Sequence, residues 1–132
     1  MLKGIPNIIS PDLLKTLHEM GHGDTLVIAD GNFPAASCAK KLIRLDGHSV
    51  TDVLEAVLTL MPLDKTPHTD LVVMDTGTDK VPEIWREFEK HADQLTKLER
   101  QAFYKAAQNA YCIVSTSEKA LFANVLLTKG VL

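Results

Sequence analysis

The 132-residue chain is predicted to form one α/β layered domain over residues 1–132, with a largely buried sheet flanked by helices. Three observations predict it. Apolar, β-branched runs of strand length occur at TLVIA (25–29), DLVVMD (70–75) and YCIVST (111–116), the pattern of strands covered on both faces. Stretches with apolar residues at helical spacing alternate with these runs. No internal repeat or low-complexity linker interrupts the alternation, so one core serves the whole length.

The elements follow in order. Ser10-Pro11-Asp12 supplies a capping hydroxyl, a proline at the first helical position and an acid at the positive end of the dipole. Leu13, Leu14, Leu17 and Met20 continue that helix and Gly21 is its expected stop. TLVIA is the first strand and DGNFPAAS (30–37) a loop rich in turn formers. KLIRLDG (41–47) reads as a strand ended by an Asp-Gly turn. Ser49 caps a helix carrying Val50, Val53, Leu54, Val57, Leu58 and Met61, and Pro62 stops it. After DLVVMD, Pro82 opens the amphipathic stretch PEIWREFEKHADQL, in which Ile84, Trp85 and Phe88 share a face. LERQAFYKAAQNA (98–110) is a further helix. YCIVST and NVLLTK (124–129) end the chain as strands, with a short helical turn expected near Lys119. Only 62–69 and 75–82 read as loops of any length.

Charge and composition exclude several function classes. The net charge is −3, and Lys40, Lys41 and Arg44 are too few to make the concentrated basic surface that a nucleic-acid partner needs. No apolar run approaches the roughly 20 residues that span a bilayer. The N-terminal stretch, broken by Pro6 and Asn7, lacks a signal-peptide profile. Cys38 and Cys112 have neither metal-site nor redox-pair spacing. The expectation is a cytoplasmic protein with free thiols.

Five positions are candidates for chemistry. In EMGHGD (19–24), His22 sits between two glycines at a helix-to-strand joint. The glycines permit tight positive-φ geometry and leave room beside the imidazole; alternatively, the histidine simply caps the helix C-terminus, where the dipole favours a cation. His18 and His22 raise a metal reading, but the order is H-E-x-x-x-H, the second histidine lies beyond the helix stop, and no third ligand is evident. A phosphate loop fails on polarity, because such loops lead from a strand into a helix N-terminus. Asp30, at the carboxyl end of a buried strand, is placed to accept two hydrogen bonds from vicinal hydroxyls, or to make an Asx-turn. Arg100 offers fixed donors to sugar oxygens, or an ion pair with Glu99 or Asp93. Tyr104 fits either a ligand site or the core, and Asn124 opens the last strand as a ligand contact or a turn residue.

The ordered set LKGIPNIISPDLLKTLHEMGHGD-TLVIADGNFPA, IRLDG, ERQAFYKAAQNAYCIV and ALFANVLLTKGV resembles the RbsD/FucU family, in its fucose mutarotase branch. The resemblance runs essentially from end to end. It implies a mixed sheet and no cofactor or metal. His22 would be the proton donor, while Asp30 and Arg100 would contact sugar. Ribose-type members tend to carry histidine where this chain has Arg100, which tilts the specificity toward L-fucose. The family's Tyr-x-Asn turn is here Phe122-Ala123-Asn124, so the asparagine is kept and a hydroxyl is missing. Were that hydroxyl a proton relay, the chain would be slower, or would use Tyr104 or a water. Were it only a sugar contact, its loss would cost about 0.5–1.5 kcal/mol.

The reaction implied is exchange of α and β anomers of a reducing monosaccharide through the open-chain aldehyde. An imidazole, ordinarily titrating at about 6.5, can serve as acid in one direction and base in the other. The resemblance also implies homo-oligomers, ring-shaped decamers whose sites are completed by a neighbouring subunit. Two alternatives stay open from sequence: a D-ribose pyranase, and a non-catalytic sugar-binding accessory protein.

Overall fold

The computed structural model describes residues 1–132. The order is α1 (Pro11–Glu19), β1 (Thr25–Ala29), α2 (Ala35–Cys38), β2 (Leu42–Leu45), α3 (Val50–Leu60), β3 (Asp70–Met74), α4 (Trp85–Glu89), β4 (Gln94–Leu98), α5 (Arg100–Asn109), β5 (Cys112–Thr116) and β6 (Val125–Thr128). The six strands form one mixed sheet in the order β2-β5-β1-β6-β3-β4. Only β6 runs antiparallel to its neighbours, β1 and β3, whereas the other pairings are parallel. Five strands therefore end at the same edge of the sheet, and β6 begins there.

Helices cover both faces. On one face Leu13 and Leu17 of α1, Val53, Leu54 and Val57 of α3, and Trp85 and Phe88 of α4 join one buried cluster with Leu26 and Ile28 of β1 and Leu71 and Val73 of β3. On the other face Phe103 and Ala107 of α5 and Ala35 of α2 cover Val27, Ala29 and Ile113. Strand β1 is thus buried on both sides, as its unbroken apolar run requires. Each large side chain so enclosed contributes about 1.5–3 kcal/mol of transfer free energy.

The expected caps are present. Ser10 Oγ accepts from Leu13 N–H at 3.2 Å, and Ser49 Oγ accepts from Asp52 N–H at 3.1 Å. Other expectations are corrected. The stretch from Pro82 is not one helix: α4 lasts a single turn, and QLTKL leaves it as edge strand β4, paired along its length with β3. The 30–37 loop ends in the short helix α2. No helix forms near Lys119, because the Glu118 carboxylate accepts the N–H groups of Lys119 and Ala120 and holds them in a turn. Helix α1 is capped at Met20, so Gly21 lies past its end. No helix is long and apolar enough to cross a membrane.

Candidate active site

The edge where the parallel strands end carries a cavity of about 460 Å³, within the usual size range of small-molecule sites. Its wall is drawn from four strand junctions. Asp30 follows β1, Met74, Asp75, Thr76 and Gly77 close β3, Glu99, Arg100 and Tyr104 open α5 just after β4, and Leu121, Phe122 and Asn124 precede β6. Asn32 and Phe33 complete it.

Asp30 is 5 % exposed and anchors the polar side. Its Oδ1 accepts from Asn32 N–H at 3.0 Å, so the Asx-turn foreseen as an alternative is also present. Oδ2 accepts from Ala123 N–H at 3.4 Å. Burial pushes the Asp30 carboxyl above the ordinary carboxylate range, and the surrounding N–H donors oppose that rise. The Asp30 backbone N–H donates to Asn124 Oδ1 at 2.8 Å, joining residues 94 positions apart. This contact exists because β6 is antiparallel to β1, which sets the start of one beside the end of the other. With its oxygen so used, the Asn124 amide sits beside the Asp30 carboxyl in the wall of the cavity.

Arg100 is the first residue of α5, at the positive end of a helix dipole, where an arginine is locally unfavourable. It pairs with neither Glu99 nor Asp93. Glu99 instead caps the helix by accepting from Gln101 and Ala102 N–H, and Asp93 accepts from Thr69 N–H. The Arg100 guanidinium lies 5.6 Å from the Tyr104 ring centroid, and its Nε donates to Tyr104 Oη at 3.2 Å. Both side chains thus face the cavity as one unit with donors to spare. Phe33 packs on Tyr104 with ring centroids 5.6 Å apart and gives the cavity an aromatic floor.

His22 is elsewhere. It precedes β1 while Asp30 follows it, and a five-residue strand spans about 17 Å. The imidazole is 57 % exposed at the opposite edge, with Nε2 3.6 Å from Asp64 Oδ1. It does not cap α1. That role falls to Lys129, whose Nζ donates to the carbonyls of Leu17 and Met20. Gly23, at φ +91°, makes the reversal after His22, and its N–H donates to Lys129 O at 2.9 Å.

One chain therefore holds the candidate residues as two separate groups: His22 with Asp64 at one edge, and Asp30, Arg100, Tyr104, Phe122 and Asn124 at the other. Sequence reasoning missed Asp64 and Asp75. Asp75 carries the signal that singled out Asp30, a carboxylate ending a buried strand. Asp64 carries none, because only folding brings the 62–64 segment beside the His22 joint through the Asp64 N–H to Thr128 O bond.

The cavity combines a buried carboxylate, an amide and a stacked guanidinium–phenol pair with an aromatic floor, and this set suits a small polyhydroxylated molecule. Comparison with known proteins agrees with that class. The model of the RbsD / FucU transport protein family matches residues 3–132, and the chain belongs to this family. It is 45 % identical to a fucose mutarotase of Mus musculus over 99 % of this chain and 95 % of that one. It is 43 % identical to a fucose mutarotase of Homo sapiens over 99 % and 94 %. Among solved structures, the fucose mutarotase of Streptococcus pneumoniae in complex with L-fucose matches with a TM-score of 0.91 and 47 % identity, over 99 % of each chain.

Proposed function

We propose that this chain is a mutarotase that interconverts the α and β anomers of L-fucose. One observation carries the reading: the Asp30–Arg100–Asn124 pocket occurs in a chain that matches fucose mutarotases over almost its entire length. Asp30 accepts from two sugar hydroxyls, Asn124 Nδ2 and the Arg100 guanidinium donate, and the Phe33 and Phe122 rings flank the apolar face of the sugar ring.

Ring opening needs a proton delivered to the ring oxygen while another leaves the anomeric hydroxyl. The C1–O bond then breaks and leaves the aldehyde. Rotation about C1–C2 and reclosure return both protons and produce the other anomer, so nothing is consumed. His22 is the acid–base group of this reading. Since it lies a strand-length from the cavity of its own chain, it acts on the cavity of a neighbouring copy, as a ring-shaped homo-oligomer, the decamer of the resemblance, would permit. Asp64 orients the imidazole, and Tyr104 supplies the hydroxyl that Phe122 lacks. Acid–base help of this kind accelerates by about 10²–10⁴-fold, enough for a reaction that proceeds unaided. The reading places the protein in the cytoplasm, acting on free reducing sugar, with Cys38 and Cys112 as thiols.

Saturation-transfer NMR on the anomeric signals tests it. The expected result is faster α/β exchange for L-fucose than ring exchange for D-ribose, lost in His22→Ala. Faster exchange of D-ribose would make the protein a pyranase. Sugar binding without any acceleration would make it an accessory binding protein.

A further inference from the structure

Trp85, the single tryptophan of the chain, is the first residue of α4 and is 2 % exposed, its side chain in the core. A buried indole N–H needs an acceptor. Here the acceptor is the backbone carbonyl of Phe122, at 2.9 Å. Phe122 is the one non-glycine residue with positive φ, at 56°, a left-handed conformation that a bulky side chain rarely adopts and that the surroundings must enforce.

The two residues that follow are fixed from the other side. Ala123 N–H donates to Asp30 Oδ2, and Asn124 Oδ1 accepts from Asp30 N–H. The Phe122–Asn124 turn is therefore held at three points, two by Asp30 and one by Trp85. Trp85 itself does not line the cavity; it stands behind the turn, with Lys97 Nζ 5.7 Å from its ring centroid.

We propose that Trp85 is a positioning residue for the sugar site: its N–H holds Phe122 in the left-handed turn that aims the Phe122 ring and the Asn124 amide into the cavity. The inference rests on the sugar-site reading above and concerns binding rather than proton transfer.

The test has two arms. In the ¹⁵N spectrum of the wild-type protein, the lone indole N–H signal exchanges slowly with solvent and shifts when L-fucose is titrated in. Trp85→Phe, which keeps an aromatic ring but removes the donor, raises KM for L-fucose by about tenfold, the worth of one hydrogen bond, with kcat within about twofold. In a Phe122→Gly background, where glycine adopts the turn unaided, the same Trp85→Phe change has little effect on KM.

An indole signal indifferent to sugar would overturn the proposal. So would a Trp85→Phe effect of equal size in both backgrounds, which marks general loss of core packing. The first arm reads binding alone. An indole shift in a protein that does not accelerate anomer exchange would support the positioning role while removing the mutarotase reading.

Discussion

Asp30 shows at a single residue how function and stability oppose one another. Its carboxylate is the natural grip on two hydroxyls, yet burial raises its pKa above the ordinary value of 3.8. Above that value, and until the raised folded pKa is passed, the folded chain binds more protons than the unfolded one. Stability contributed by this group is therefore present at low pH and falls as pH rises through the window. Asp30→Asn abolishes the titration. Urea unfolding from about pH 3.5 to 7 is expected to show the wild-type midpoint dropping relative to the Asn variant as pH rises, then running parallel. The same substitution should raise KM for L-fucose by about 10–150-fold, the worth of hydrogen bonds to a charged acceptor, about 1.5–3 kcal/mol. Of the two roles weighed for Asp30 from sequence, the structure fills the turn-former, with Oδ1 on Asn32 N–H, and sets the carboxylate in the wall of the cavity.

At the scale of elements, the joint from α1 to β1 was legible as a glycine-flanked turn, but not which glycine matters. Gly23 carries the positive φ of +91° with open space around its Cα, whereas Gly21 has an ordinary φ and only Asp24 Oδ2 near a would-be Cβ, at 3.8 Å. Gly23→Ala is expected to cost about 1–2 kcal/mol through backbone strain alone, seen as a lower denaturation midpoint. It should also slow anomer exchange by displacing His22, and Gly21→Ala should do neither. Strand β4 was not legible. QLTKL is polar and only partly covered at the sheet edge, so it lacks the apolar run that reveals β1, β3 and β5. It also follows the helically spaced Ile84, Trp85 and Phe88, whose pattern masks the change of period. The consequence reaches the site, since β4 is the strand that delivers Arg100 to the edge where Asp30 lies.

At the scale of the whole molecule, the proposed mechanism treats His22 and the Asp30 cavity, at opposite edges of one sheet, as half-sites that only a second copy of the chain completes. His22→Ala and Asp30→Asn each disable one half-site. Co-refolded and assayed at L-fucose well below KM, where Asp30→Asn is also nearly silent, the two variants are expected to regain roughly a quarter of wild-type exchange, because a randomly mixed heterologous ring sets an intact His22 against an intact Asp30 cavity at about one site in four. Saturation transfer on the mixture checks this, with each variant alone as control. A mixture as inactive as its components would show that His22 and Asp30 are not brought to one site by different subunits.

The sequence by itself determined the α/β alternation, the strands buried on both faces, the helix caps at Ser10 and Ser49, and the chemical types of the site residues. These are local properties: period, capping hydroxyls, glycines and apolar runs are written within a few adjacent positions. Tertiary structure alone decided which residues meet. A central antiparallel β6 sets Asn124 against Asp30, an unheralded edge strand brings in Arg100, and the length of β1 sends His22 to the far side. The reason is physical: strand order and direction are settled by pairings between segments far apart in the chain, and no local pattern records them.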